Sequence, residues 1–268
     1  MNLLTIFHIE LKKIRRTHII WILLIPLILL WIPAILNADS NFSNTAGLSP
    51  EMNFFFQTFL GLSWFMYPAS LVVITVMLNQ LERSNQGIQK MLSLPVSAAG
   101  LCLGKFLVLL LLAAFQMFMM TALYFPAAFM ASHSTGYDFV LPLSSVLYEA
   151  LIIYISSIPM AAFYWLAAVC IRTSVFSVGI GLASIVPSVL LINTKAWFAY
   201  PMCYPFYILS QFLEQPQADV FTLSVDLFPL LPVAVAVTLI CLIVSCLFFG
   251  RTESNLVICQ EVIKKRFQ

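Results

Sequence analysis

The chain has 268 residues, of which 62% are hydrophobic and 9% charged, with a mean hydropathy of +0.99 and a formal net charge of +2. A soluble domain carries about 25% charged residues, so the composition excludes one and leaves an integral membrane protein with little chain for an aqueous catalytic domain. So small a net charge also excludes an electrostatic binder of nucleic acid.

Residues 2–16 open the chain as an amphipathic helix. Leu3, Leu4, Phe7, Leu11 and Ile14 share one arc, Lys12, Lys13, Arg15 and Arg16 fall away from it, and Glu10 stands at the border. This pattern predicts a helix in the membrane interface, with its basic side toward anionic headgroups. The competing reading is a signal-peptide n-region with cleavage after Ala38, although an n-region needs no amphipathic order.

Six apolar stretches are long enough to cross a bilayer as helices, which takes about 20 residues. They run at about 19–36, 54–78, 101–125, 145–171, 175–192 and 227–249. Pro68 predicts a kink in the second, Pro126 an end to the third and Pro159 an interruption of the fourth. The fifth is rich in small residues, among them Gly179, Gly181 and Ser184, which let helices approach closely in lipid.

Between the second and third spans lies a polar stretch, residues 82–97, reading E-R-S-N-Q-G-I-Q-K-M-L-S-L-P-V-S. A simple turn needs four or five residues, whereas this loop has sixteen. After Gly87, the residues Ile88, Met91 and Leu92 fall at helical spacing, and Pro95 supplies a stop. That predicts a short amphipathic helix with something to bind.

Six spans with both termini inside place twelve of the thirteen Lys and Arg residues in the cytoplasm, leaving Lys195 outside. The basic residues set this orientation. The reading is an all-α integral membrane protein of six transmembrane helices, an N-terminal interfacial helix and cytoplasmic termini.

Chemistry is sparse. The six cysteines have no C-x-x-C pair, and His8, His18 and His133 are scattered, so no metal constellation is expected. Gly100-Leu-Cys-Leu-Gly104-Lys105-Phe106 echoes a phosphate loop. It encloses three residues where four are needed and has Phe106 in place of Ser or Thr. Glu149 is the one acid at or within a span, either a functional carboxylate in the membrane or a residue of the outer headgroups. The outer segment 193–226 is dense in aromatics, including Trp197, Tyr204 and Tyr207. They form either an anchoring belt or a surface that contacts peptide or lipid.

With the basic amphipathic start, the six spans and the E-R-x-x-x-G-x-x-K-x-L-x-L-P-V-S loop in view, the whole chain resembles the ABC-2 type permease subunits of ABC transporters. The opening E-L-K-K-I-R-R-T is similar to permeases of lantibiotic-immunity and bacitracin-resistance transporters. The resemblance implies one transmembrane domain over residues 1–268. In it, residues 1–17 are the interfacial connecting helix, 82–97 the coupling loop and 193–226 an external segment with short helices. It implies that Glu82, Arg83, Gly87, Ile88, Met91, Leu92 and Pro95 couple to a separate ATPase. It implies no cofactor on this chain, with ATP and magnesium in a dimeric ABC ATPase. A second or related permease, membrane lipid and a peptide substrate are the other expected partners, in a bacterial plasma membrane. Trp197, Tyr204, Tyr207 and Glu149 are the substrate-contact candidates. The alternatives are an exporter of an endogenous peptide or lipid, and an intramembrane lipid-modifying enzyme.

Overall fold

The computed structural model describes residues 3–14, 17, 19–42, 48–83, 97–171, 173–214 and 230–266, with backbone alone at 3, 81–83, 212–214 and 250–266. Among the described residues there is helix and no strand. Lipid offers no partner to peptide groups, and a helix satisfies them within its own segment.

The chain starts with α1 (Leu3–Ile14) and α2 (Ile19–Leu36). The second span is α3 (Pro50–Gly61), a π-helical turn at Leu62–Met66 and α4 (Tyr67–Arg83). The third span is α5 (Ala98–Thr135), and the fourth is α6 (Leu143–Ser156) followed by α7 (Ile158–Cys170). The fifth is α8 (Ser174–Ala183) with α9 (Val186–Leu191). Then come 3₁₀ turns at Trp197–Ala199 and Pro201–Cys203, α10 (Tyr204–Glu214) and α11 (Leu230–Arg266). Six of these helical segments are long and apolar enough to cross a membrane.

Prolines act differently at each position. Before Pro68 the helix widens into the π turn, and Tyr67 N–H reaches back to Leu62 O. The wider turn accommodates a ring that lacks a donor and crowds the preceding turn. Pro159 does separate two helices: α6 stops at Ser156 and α7 restarts with the proline in its first turn, where no N–H is needed. Pro126 does not end the third span. α5 runs through it to Thr135 and stops where Gly136 adopts φ 72°, a left-handed cap natural to glycine. At 1.5 Å per residue α5 is about 57 Å long, well beyond a hydrocarbon core of about 30 Å. The fifth span also breaks, at Ser184 and Ile185 just ahead of Pro187. The last helix continues past Phe249 into the basic tail.

α5 and α7 occupy the middle of the bundle. α7 packs most extensively on α11 and also on α4, and α5 carries α1, α2 and α11. Trp165 on α7 is fully buried and donates Nε1–H to Cys102 Sγ on α5 at 3.3 Å. The outward faces of α2 and α8 stay apolar, with Leu29 and Phe176 exposed, as lipid-facing surfaces require.

Hydrogen bonds mark the two ends of the bundle. At the proximal end, which carries α1, Asn79 donates to Ala168 O and Gln80 to Ser174 Oγ. At the distal end Tyr124 OH donates to Phe139 O at 2.9 Å and accepts from Leu141 N at 3.0 Å. Tyr137 OH donates to Glu51 Oε2 at 2.6 Å, and this bond to a carboxylate holds the phenol above its ordinary pKa. Trp31, Phe54, Tyr124 and Phe139 pack around these bonds.

Candidate functional site

The proximal end is built around α1. Its buried stripe is Ile6, Glu10 and Ile14, while Leu4 is 80% exposed. The face that docks is therefore rotated from the arc of Leu3, Leu4, Phe7, Leu11 and Ile14. Phe7 and Leu11 pack at its edge. The reason lies on α5. A Cβ added to Gly104 would stand 2.8 Å from Ile6 Cγ2, and one added to Gly100 would stand 3.5 Å from Ile6 Cδ1. The two glycines, one helical turn apart, form a groove that takes the Ile6 side chain. They act as packing surfaces and not as a phosphate loop.

The same seat carries charge. Glu10 places Oε1 2.6 Å from Lys13 Nζ and Oε2 3.7 Å from Lys105 Nζ. Lys105 is 1% exposed, so it does not mark a hydrated interface. Two separately desolvated charges would cost several kcal/mol each, and pairing offsets that cost. Sequence reading missed this pair. Each residue shows a signal, an acid on a hydrophobic arc and a lysine within an apolar run, but nothing in one dimension connects them.

The loop of residues 82–97 joins two anchored ends. α4 arrives with Asn79 and Gln80 bonded to α7 and α8, as described above. α5 departs from Ser97, whose Oγ accepts from Gly100 N at 3.2 Å. Glu82 and Arg83 lie in the last turn of α4, where the backbone alone is described. Gly87, Ile88, Met91, Leu92 and Pro95 lie outside the described residues.

Midway along the bundle a second polar set joins three spans. Ser70 Oγ donates to Gln116 Oε1 at 2.6 Å, and Tyr67 OH meets Ser157 Oγ at 3.1 Å. Tyr67, Gln116 and Ser157 are all buried. These bonds pin the first turn of α4, directly after the π turn, to α5 and to the break between α6 and α7. The bonds satisfy these buried hydroxyls, whereas Gln116 Nε2 is buried without a hydrogen-bond partner.

The distal candidates separate into different roles. Tyr204 is fully buried and donates to Phe198 O at 2.5 Å. Burial pushes its phenol up to about 12 and the neighbouring Cys203 thiol up to about 11, so both are neutral at physiological pH. Trp197 and Tyr207 are half-buried and stacked, with centroids 3.7 Å apart and planes at 17°. Tyr204 thus organises the segment, while the stacked pair keeps area available. α10, which carries Tyr204 and Tyr207, packs on α6. Glu149 sits on α6, 2% exposed, and neither carboxylate oxygen has a hydrogen-bond partner. That burial is inside the protein, beneath neighbouring side chains. Among the described residues no cluster of His, Cys, Asp and Glu could hold a metal ion.

Among the described residues, six helices long and apolar enough to cross a membrane, an amphipathic helix sealed to one end and no strand define a multi-pass helical membrane protein. A family model described as ABC-2 family transporter protein matches residues 6–188, and the chain belongs to that family. It is a transporter permease, and the family implies an ABC ATPase partner. The match extends from Ile6 in the α1 seat to Ser188 within α9 and stops before the segment holding Trp197, Tyr204 and Tyr207. No curated protein and no solved structure matches the chain.

Proposed function

We propose that this permease expels membrane-active peptides, of the lantibiotic or bacitracin kind, from a bacterial plasma membrane, driven by its ABC ATPase. The family match over residues 6–188 carries the transport reading, since it includes α1, its seat on α5 and the loop of residues 82–97. Both termini and that loop face the cytoplasm, as the basic residues require. Ile88, Met91 and Leu92 offer the ATPase an apolar contact, flanked by Glu82 and Arg83 and bounded by Gly87 and Pro95. ATP and magnesium reside in the ATPase dimer, and this chain binds no cofactor. A second, related permease completes the transporter. The stacked Trp197 and Tyr207 meet the peptide at the outer leaflet, where apolar rings with polar tips are suited to an interface.

Affinity purification from the native host tests the assembly, and a survival assay against membrane-active peptides tests the substrate. The wild-type chain should carry an ABC ATPase through purification and raise survival. Exchanging Ile88→Asp and Met91→Asp together should release or uncouple the ATPase while the permease stays in the membrane. Full ATPase binding and full protection in that double variant would remove the loop from the mechanism. An intact complex without protection against any such peptide would favour an endogenous peptide or lipid as substrate.

A further inference from the structure

A groove of about 550 Å³ runs between the fourth span, α10 and α11. That volume lies within the 300–1,000 Å³ typical of small-molecule sites. Ile208 and Leu230 form a buried floor, while Ile155, Val235 and Leu239 are each more than half exposed, so the groove is open along one side. That side lies on membrane-spanning helices, and the groove is open to lipid. The wall on the fourth span passes through the bend at Ser157, between Tyr148 and Pro159.

Glu149 lies beside this wall, buried behind the residues that line it. Tyr148 and Ile152, which line the groove, flank it in sequence on α6, and Ser156, also lining, lies seven residues further along. Seven residues make nearly two helical turns, so Glu149 and Ser156 point about 20° apart on one side of the helix. Glu149 thus lies on the side of α6 that Ser156 marks, behind the groove lining and covered by it. It is 98% inaccessible, and both oxygens are without hydrogen bonds. No described lysine or arginine lies within ion-pair distance of it. A carboxyl group so placed has all of its acceptor capacity unused, and an ammonium brought to it would meet an acceptor that no hydrogen bond occupies.

We propose that the groove and Glu149 form a subsite for an amphipathic cation. Its apolar chain lies along Ile155, Val235 and Leu239, and its ammonium reaches the Glu149 carboxylate by displacing the side chains above it. Among the described residues no lysine or arginine lines the groove, so a phospholipid headgroup would leave its phosphate unpaired there. The occupant is therefore the cationic end of the transported peptide and not a zwitterionic lipid. This assignment rests on the peptide-export reading for the identity of the occupant, while the binding chemistry stands on the groove itself.

The test uses the full-length chain in phosphatidylcholine nanodiscs at neutral pH. A dodecylammonium probe with a terminal diazirine is photo-crosslinked, and labelled peptides are mapped by mass spectrometry. The matching dodecanol probe and a dodecylphosphocholine probe are run in parallel. Labelling by the ammonium probe should fall on Val235 and Leu239 and exceed that by the other two about tenfold, as a charge-assisted contact in a dry site allows. Glu149→Gln should abolish the preference while leaving dodecanol labelling in place, which also reports an intact groove. Glu149→Asp should retain the preference in part, and Val235→Trp should remove labelling by all three probes. Equal labelling by the three probes, a preference that survives Glu149→Gln, or labelling concentrated outside the groove would each overturn the proposal. Because ATPase and transport are absent from this assay, failed peptide protection with an intact ammonium preference would sink the export reading alone.

Discussion

Lys105 Nζ lies 3.7 Å from Glu10 Oε2, and both side chains are buried where α1 crosses the start of the third span. The pair joins residues 95 positions apart and binds an amphipathic helix to the membrane core. Ile6, seated against Gly100 and Gly104, adds a steric lock beside the electrostatic one. α1 and the start of α5 are therefore joined at this crossing by both contacts.

Breaking this pair from one side should be costly. Lys105→Met leaves Glu10 buried with only the partly exposed Lys13, and removal of one partner of a buried pair costs roughly 3–5 kcal/mol. Combining Lys105→Met with Glu10→Gln should recover part of the loss, because neither member of the buried pair is then left charged, although the partly exposed Lys13 loses its partner. Thermal unfolding in detergent checks this by a double-mutant cycle. Additive losses would show that the two residues do not interact.

The fifth span offers a paired control. A Cβ on Gly181 would meet Val72 Cγ1 at 2.5 Å, whereas one on Gly179 would meet nothing within 4 Å. Gly181→Ala should destabilise by about 1–3 kcal/mol through overpacking, and Val72→Ala should relieve it. Gly179→Ala should be neutral or slightly stabilising, since alanine favours helix. Equal behaviour of the two glycine variants in a melting experiment would contradict the close approach of α8 to α4.

The distal aromatics should divide by role. Tyr204→Phe removes a buried hydrogen bond to Phe198 O, worth about 1 kcal/mol, and Tyr204→Ala should lower protein abundance. Joint replacement of Trp197 and Tyr207 by alanine removes a stack worth about 0.5–1.5 kcal/mol. This pair variant should keep its abundance and lose peptide protection. Quantitative blotting beside survival curves separates the outcomes. A parallel fall in both measures would reduce the pair to an anchor.

Cysteine labelling tests the orientation. Cys170 is exposed at the proximal end, whereas Cys203 is buried with its thiol pushed up to about 11. A neutral, covered thiol reacts slowly. In single-cysteine variants a membrane-impermeant maleimide should modify Cys170 in inside-out vesicles but not in intact cells, and should leave Cys203 unmodified in both. Labelling of Cys170 in intact cells would invert the topology.

Six spans, their order and the amphipathic character of α1 were legible in one dimension. Apolar runs of bilayer length leave the backbone no alternative to helix, and Pro159 could be read as a break because its ring and missing donor act locally. Pro126 misled, since α5, packed against neighbouring spans, continues as helix through a residue that would end an unsupported one. The partners of Glu10, Gln116 and Ser157 were beyond reach for a related reason. A single charge or hydroxyl in an apolar run says only that it needs a partner. Which span supplies one depends on how the helices cross, and side chains from distant positions determine that together. The same holds for Glu149: its sequence marks an acid in an apolar helix, and only the packing buries both its oxygens without a hydrogen-bond partner.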